Sequence, residues 1–176
     1  MRVLIVYGTT EGQTRKVANF LGDEAEKMGH TVVVSDSTTH PPGPLGYDVV
    51  LVGASLHMHK YQSSVIHYIK NNAQALNQKK SGFFSVSLSA LSEGHDEKSW
   101  DELHEITSAL MTETDWSPKK VEYVAGALLY TKYDFFKRFV MRTIAKRGGG
   151  DIDTRHDHEY TDWEKVKAFL DNMLKP

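Results

Sequence analysis

Near its start the chain reads Val3-Leu4-Ile5-Val6-Tyr7 and then Gly8-Thr9-Thr10-Glu11-Gly12-Gln13-Thr14, the stretch that decides its fold. The apolar run has the length of a buried strand, and from Thr14 the apolar residues recur at helical spacing until Gly29. The residues between strand and helix carry hydroxyl groups at positions 9, 10 and 14. Hydroxyls and backbone N–H groups at a helix N-terminus can wrap a phosphate dianion, and glycine at position 12 allows close approach.

This loop differs from two other common phosphate loops. It lacks the Gly-Lys-Ser/Thr ending of a Walker loop, and it lacks the G-x-G-x-x-G pattern of dinucleotide-binding loops. The alternative is a threonine-rich turn that only caps the helix. The order of strand, loop and helix favours phosphate binding over that alternative.

The rest of the chain alternates apolar runs of strand length with helical patterns, which is typical of a parallel sheet built from βαβ units. We expect strands at 31–34, 49–53, 82–88 and 121–129, and helices at 65–76, 100–111 and from 161 onward. Thr161 and Glu164 have the spacing of a capping box for the last helix. The buried stripe of that helix would consist of Trp163, Val166, Phe169, Leu170 and Met173. The proline-rich stretch 37–47 is expected to be a loop.

These elements predict one α/β domain over residues 1–176, with a doubly wound, five-stranded parallel sheet. Such sheets bind ligands at the carboxyl ends of their strands, where the strand order reverses. The loops 8–14, 54–62 and 89–97 would meet at that edge.

Composition narrows the function further. The chain has 176 residues, no cysteine and a net charge of −2. Disulfides, thiolate metal sites and cysteine nucleophiles are therefore excluded, and the charge argues against a nucleic-acid partner. We find neither a signal peptide nor an apolar run long enough to cross a bilayer, and expect a cytoplasmic protein or one peripheral to the membrane.

The chain resembles the flavodoxins in Gly12-Gln13-Thr14. Over nearly its whole length it resembles the flavodoxin-like, menaquinone-dependent protoporphyrinogen oxidases of bacteria. The shared motifs are Gly53-Ala54-Ser55, the Trp116/Pro118 pair, Ala125-Gly126-Ala127-Leu128 with Tyr130, Gly148-Gly149 with Asp153-Thr154-Arg155, and Tyr160-Thr161-Asp162-Trp163. The resemblance implies a flavodoxin-like sheet of order 2-1-3-4-5 with helices on both faces and an extra helix after strand five. It also implies FMN as cofactor, protoporphyrinogen IX as substrate and a membrane quinone as electron acceptor.

The resemblance also implies which residues hold the flavin. The phosphate would be bound by Thr9, Thr10, Glu11, Gly12, Gln13 and Thr14. The isoalloxazine ring would lie between two later groups, Ser55, Leu56, His57 and Tyr61 after strand three, and Ser87, Leu88, Ser89 and Ala90 after strand four. His57 and His59 alternate as a metal pair would, but no acidic partner is fixed nearby, so we predict no metal. No catalytic residue is predicted.

The chain departs from the family in the loop 92–97, which is acidic here and basic in family members. Porphyrin propionates favour cations, so the acidic loop leaves two alternatives open. One is an electron-carrier flavodoxin, and the other is an FMN-dependent quinone reductase. Leu129 and His57 also stand where a relative carries arginine.

The segment 134–147 has the pattern of a basic amphipathic helix. Arg138, Arg142 and Lys146 recur every four residues, opposite an apolar face that contains Phe136, Phe139, Val140 and Ile144. Such a helix suits an anionic membrane surface, but it could equally cover the edge of the sheet with its basic face in solvent.

Overall fold

The computed structural model describes residues 1–94, 96–128 and 158–175. The predicted helix at 134–147 and the motifs at 148–155 lie outside these described residues. The strands are β1 (Arg2–Gly8), β2 (Thr31–Asp36), β3 (Val49–Ser55), β4 (Lys80–Ser87), β5 (Lys120–Ala125), β6 (Ala127–Leu128) and β7 (His158–Glu159). The helices are α1 (Gln13–Lys27), α2 (Ser63–Gln78), α3 (Glu97–Thr114) and α4 (Trp163–Leu174).

Strands β1 to β5 form one parallel sheet of order β2-β1-β3-β4-β5. The order confirms the predicted doubly wound topology, which reverses direction next to β1. The register brings the carboxyl ends of the central strands together, since Gly8 pairs with Ala54 and Ser55 pairs with Val86. The loops that follow β1, β3 and β4 therefore meet at one edge.

Helices cover both faces of the sheet, as predicted. Alternate residues of β1 enter two separate cores: Ile5 packs on the side of α1 and α4, and Leu4 packs on the side of α2 and α3. Phe84 and Phe83 of β4 likewise enter the two opposite cores, and both are fully buried. Because each face is covered, the strands read as continuous apolar runs, which made them recognisable in the sequence.

Gly53 is required by the packing of the central strands. A Cβ atom added at Gly53 would lie 2.0 Å from the Phe84 ring, closer than any real contact. The ring occupies the space over the end of β3 that a side chain would fill. The Gly53-Ala54-Ser55 motif thus has a structural cause next to the predicted site.

The prediction that Thr161 caps the last helix was wrong. Helix α4 is capped by the carboxylate of Asp162, which accepts a hydrogen bond from the Lys165 backbone N–H at 3.0 Å. Thr161 lies before the cap, and its hydroxyl donates to the carbonyl of Ala125 at 2.7 Å. The buried stripe of α4 is confirmed, with Trp163 half-buried against Phe20.

The predicted fifth strand, 121–129, is divided into two parts. Strand β5 ends at Ala125, and the N–H of Gly126 donates to the carbonyl of Ser87 at 3.1 Å. Beyond it, β6 pairs with β7 in antiparallel fashion, away from the main sheet. The proline-rich stretch 37–47 is a loop as predicted, apart from one 3₁₀ turn over Pro44–Gly46.

Within the described residues, we find no helix long and apolar enough to cross a membrane.

Candidate functional site

The loop between β1 and α1 leaves the N-terminus of the helix open. Gly12 adopts a left-handed conformation with φ of 100°, and its N–H donates to the Thr9 hydroxyl at 2.8 Å. Among the described residues no side chain caps α1, and its first turn contains no acidic residue. The positive end of the helix dipole therefore faces the loop without a compensating charge from its own first turn.

The side chain of Thr14 contains a buried polar atom that needs a hydrogen-bond partner. The residue is fully buried, and its Oγ1 has no hydrogen-bond partner in the described part of the chain. A buried hydroxyl without a partner costs about 1–3 kcal/mol, so such groups call for an explanation. Together with the open helix end, this hydroxyl fits a site that accepts a phosphate oxygen.

A second residue, Gln62, ties this loop to the one after β3. Its amide Nε2 donates to the Thr10 hydroxyl at 3.0 Å and also to the Ser55 hydroxyl. Its Oε1 accepts a hydrogen bond from the Ser55 N–H at 3.1 Å. Gln62 was missed in the sequence, although its position immediately before α2 at the same sheet edge was a usable signal.

The loop after β3 is a tight two-residue turn. His57 and Lys60 exchange backbone hydrogen bonds of 3.0 Å, and the residues between them, Met58 and His59, have φ of 49° and 63°. Left-handed conformations at both central positions are typical of a type I′ turn, in which non-glycine residues are strained. The turn holds Met58 in solvent, with 69% of its surface exposed.

The other candidate residues of this loop differ in their placement. Ser55 and His57 are half-buried at the edge. Leu56 is also half-buried, and its N–H donates to the carbonyl of Val86 at 2.9 Å, which fixes the loop beside β4.

The Tyr61 side chain lies in the core and not at the loop surface. Its hydroxyl is within 2.9 Å of the Ser85 hydroxyl and 2.7 Å of the Thr107 hydroxyl, and its ring packs against Phe83. Burial raises the pKa of Tyr61 to about 12. We therefore remove the Tyr61 side chain from the candidate set. An aromatic residue in a predicted loop gave no sign that it turned inward.

The loop after β4 is a short 3₁₀ helix over Leu88–Ser92. The Ser87 hydroxyl accepts a hydrogen bond from the Ala90 N–H at 3.3 Å, so both residues are buried in the turn. Leu88 is half-buried and Ser89 is exposed. Backbone groups, more than the Ser87 side chain, are therefore what this loop can offer a ligand.

Acidic residues of the segment 92–97 have structural partners. The carboxylate of Glu93 lies 2.6 Å from Lys165 Nζ. Asp96 caps α3 through the N–H and hydroxyl of Ser99. Although burial lowers the pKa of Lys165, its hydrogen bond with Glu93 and the charge of Glu122 raise it above its ordinary value. These acids attach the loop to two helices, a role that sequence reasoning did not assign to them.

The C-terminal segment reaches the same edge through Gln13. The Gln13 amide donates to the Thr161 hydroxyl at 2.9 Å and to Glu159 at 3.4 Å, and Lys16 Nζ lies 2.5 Å from Glu159. Tyr160 donates its N–H to the carbonyl of Gly126. The side chain of Gln13 is thus occupied, and this residue can offer a ligand its backbone N–H. The structure therefore brings together the candidates at 9–14, 55–57 and 87–90.

Sequence comparison gives nearly full-length similarities. A family model described as a flavodoxin domain matches residues 4–155. The protoporphyrinogen IX dehydrogenase (quinone) of Escherichia coli strain K12 is 34% identical over 170 residues, which are 96% of this chain and 92% of the relative. A protein of the same name from Leishmania major is 32% identical over 176 residues, covering 98% of this chain and 74% of that relative.

Structure comparison supports the fold. The crystal structure of oxidised flavodoxin 2 from Bacillus cereus superposes with a TM-score of 0.56 at 14% identity, covering 98% of this chain and 97% of the other. Oxidised flavodoxin 1 from the same organism gives 0.52 at 14% identity, covering 83% and 96%. Identities this low show a shared fold and nothing more.

Proposed function

The chain belongs to the flavodoxin-domain family, within the group of the protoporphyrinogen IX dehydrogenases (quinone), and we propose that it is an FMN-dependent oxidoreductase that passes electrons from protoporphyrinogen IX to a quinone. The observation that carries the cofactor assignment is the buried hydroxyl of Thr14 at an open helix end, which has no hydrogen-bond partner among the described residues. Similarity to the dehydrogenases over 96% of the chain supports the substrate and acceptor.

In this proposal the FMN phosphate lies over the start of α1. Thr14 donates its hydroxyl, and the backbone N–H groups around Gly12, Gln13 and Thr14 add hydrogen bonds that the helix dipole strengthens. Thr10 and Ser55, joined by Gln62, hold this loop against the one after β3. Thr9 fixes the conformation of Gly12, because its hydroxyl accepts a hydrogen bond from the Gly12 N–H. Glu11 would contribute its backbone groups to the phosphate site.

The isoalloxazine ring of FMN would lie between the loops after β3 and β4. Leu56 and His57 border it on one side, and the backbone of Leu88, Ser89 and Ala90 borders it on the other. FMN supplies the redox chemistry when bound, so the protein needs only to bind, orient and shield it. Internal hydrogen bonds hold both the turn at 57–60 and the 3₁₀ helix, and these two elements would form the walls of the ring site.

The structural partners of the acidic loop favour the dehydrogenase over an electron carrier. Glu93 forms an ion pair and Asp96 caps a helix. These structural roles explain the acidic residues without a docking surface for a basic electron-transfer partner. The third possibility, a quinone reductase driven by a nicotinamide, lacks any dinucleotide-binding motif in the sequence.

The proposed acceptor is a membrane quinone, and we infer a cytoplasmic protein that works peripherally at the inner face of the cell membrane. The segment 129–157 contains the basic stretch 134–147, and β7, which follows the segment, contacts the first turn of α1 through Glu159. That placement would bring a membrane-facing segment close to the flavin.

The proposal is tested by supplying protoporphyrinogen IX and a quinone to the purified protein under anaerobic conditions. We expect porphyrin fluorescence to develop only when both FMN and quinone are present. Thr14→Val should lower FMN affinity, whereas Thr112→Val, at an exposed site of α3, should not. A flavin-loaded protein that reduces quinone with other donors but leaves protoporphyrinogen unchanged would contradict the proposed substrate.

A further inference from the structure

A cation lies beside the phosphate loop and has no assigned role. Arg15 is exposed in the first turn of α1. A Cβ atom added at Gly12 would lie 3.7 Å from Nη2 of Arg15, which puts the guanidinium over the left-handed residue of the loop. Among the described residues other than the immediate chain neighbours of Gly12, the Nη2 of Arg15 is the one heavy atom within 4 Å of that Cβ position.

Arg15 differs from its neighbour Lys16 in its partners. Lys16 pairs with Glu159 at 2.5 Å and lies 5.3 Å from the centre of the Trp163 ring. Within the described ranges, Arg15 forms no ion pair. The charge of Arg15 nevertheless acts toward the end of β1: burial and Asp36 raise the pKa of Tyr7, and Arg15 opposes them. The geometric evidence for its position is the Nη2 atom near Gly12, which places the guanidinium beside the loop.

We propose that Arg15 is a phosphate-binding residue that selects ligands ending in a phosphomonoester dianion over the same ligands without phosphate. The inference rests on the proposed function, since it takes the loop to be the FMN phosphate site. Two observations carry it. The buried hydroxyl of Thr14 has no partner within the part of the chain that the structure describes, and the guanidinium lies over Gly12.

The charges explain why the loop needs this residue. A phosphomonoester carries close to two negative charges at neutral pH, whereas the end of a helix supplies only about half a positive charge. The planar guanidinium adds a full charge and two parallel N–H groups that match a pair of phosphate oxygens. Lysine offers the charge without that geometry. Because Arg15 is exposed, dissolved salt screens its contribution.

The test compares FMN with riboflavin, which lacks the phosphate, in fluorescence-quenching titrations of the cofactor-free full-length protein. The variants are Arg15→Ala, Arg15→Lys and the control Lys27→Ala, which removes one positive charge from the far end of the same helix. We expect Arg15→Ala to weaken FMN binding about tenfold at low salt and to leave riboflavin binding unchanged. Arg15→Lys should give an intermediate loss, and Lys27→Ala none. The loss should shrink at high salt.

Two results would overturn the inference. Equal FMN affinity in Arg15→Ala and the unchanged protein would remove Arg15 from the site. Equal weakening of FMN and riboflavin would show that Arg15 stabilises the loop and does not read the phosphate. Failure of the unchanged protein to bind FMN is a different outcome, because it would refute the proposed function together with the inference.

Discussion

The amide of Gln13 lies 2.9 Å from the hydroxyl of Thr161 and joins the first turn of α1 to the segment that precedes α4. Thr161 in turn donates to the carbonyl of Ala125, so three parts of the chain meet at one hydroxyl. The loop before α1 is thus supported from the C-terminal side through a residue whose side-chain amide is already hydrogen-bonded within the protein.

Removing this support should loosen both sides of the contact. In Gln13→Ala we expect faster amide hydrogen exchange at 158–161 and a several-fold loss of FMN affinity, because the first turn of α1 loses its anchor. Hydrogen-exchange mass spectrometry and a binding titration measure the two effects. Gln78→Ala, at the exposed end of α2, is the control. Unchanged exchange at 158–161 would show that Gln13 does not hold the segment.

Gly53 should tolerate no side chain. Gly53→Ala places a methyl group inside the Phe84 ring volume, and we expect the free energy of unfolding to fall by about 1–3 kcal/mol in urea titrations. Gly43→Ala is the control, because its Cβ would make an ordinary contact of 3.6 Å with Asn72. Adding Phe84→Leu to Gly53→Ala should restore part of the loss. A stable Gly53→Ala single variant would contradict the packing described here.

Tyr61 should affect stability at high pH and leave FMN binding unchanged. Its folded pKa of about 12 exceeds the ordinary value of 10.0, so the unfolded chain loses the phenolic proton first. The stability that this shift provides, roughly 2 to 3 kcal/mol, is fully present below pH 10 and is lost as the pH rises toward 12. Tyr61→Phe should therefore lose less stability than the unchanged protein across that range.

Urea titrations at pH 8 and at several values above pH 10 measure this difference. Tyr61→Phe should be less stable at pH 8, because Ser85 and Thr107 lose a buried partner. Its FMN affinity should match that of the unchanged protein. A large loss of FMN affinity in a folded Tyr61→Phe would return this side chain to the site.

The basic segment should determine membrane binding. Reversing Arg138, Arg142 and Lys146 to glutamate should abolish sedimentation with vesicles that contain anionic lipid, because the cations attract the lipid headgroups. The same triple reversal at Lys79, Lys98 and Lys119 changes the net charge equally and should weaken sedimentation far less. Equal loss in both triple variants would show that only net charge matters.

The sheet could be predicted from sequence because its strands are buried on both faces. A continuous apolar run such as Val3 to Tyr7 can be recognised as a strand without knowing which strands lie beside it. The loop at 8–14 was selected from Gly12 and its hydroxyl neighbours, which act locally, and phosphate binding there stays a prediction. Gln62 meets Thr10 across 52 positions of sequence, so its position before α2 at the same sheet edge was the one available signal, and it does not identify the partner.

The wrong predictions for Thr161 and Tyr61 also arose from contacts with residues that are distant in sequence. Thr161 and Asp162 both have side chains that can cap a helix, and the choice between them depends on the carbonyl of Ala125, 36 positions away. Tyr61 was predicted to lie against the flavin ring, and hydropathy does not show which way a tyrosine turns. Its direction is set by hydroxyl partners on β4 and α3.

The antiparallel pairing of Ala127 and Leu128 with Glu159 and His158 brings the two ends of the segment 129–157 to one point. The entropy of closing a loop grows only with the logarithm of its length, and doubling the length adds about 0.6 kcal/mol. Because the strands that flank this segment are already paired, the part of the free energy that comes from loop closure changes little with the length of the segment. Loop-closure entropy alone therefore sets only a weak limit on how long a connection between β6 and β7 can be.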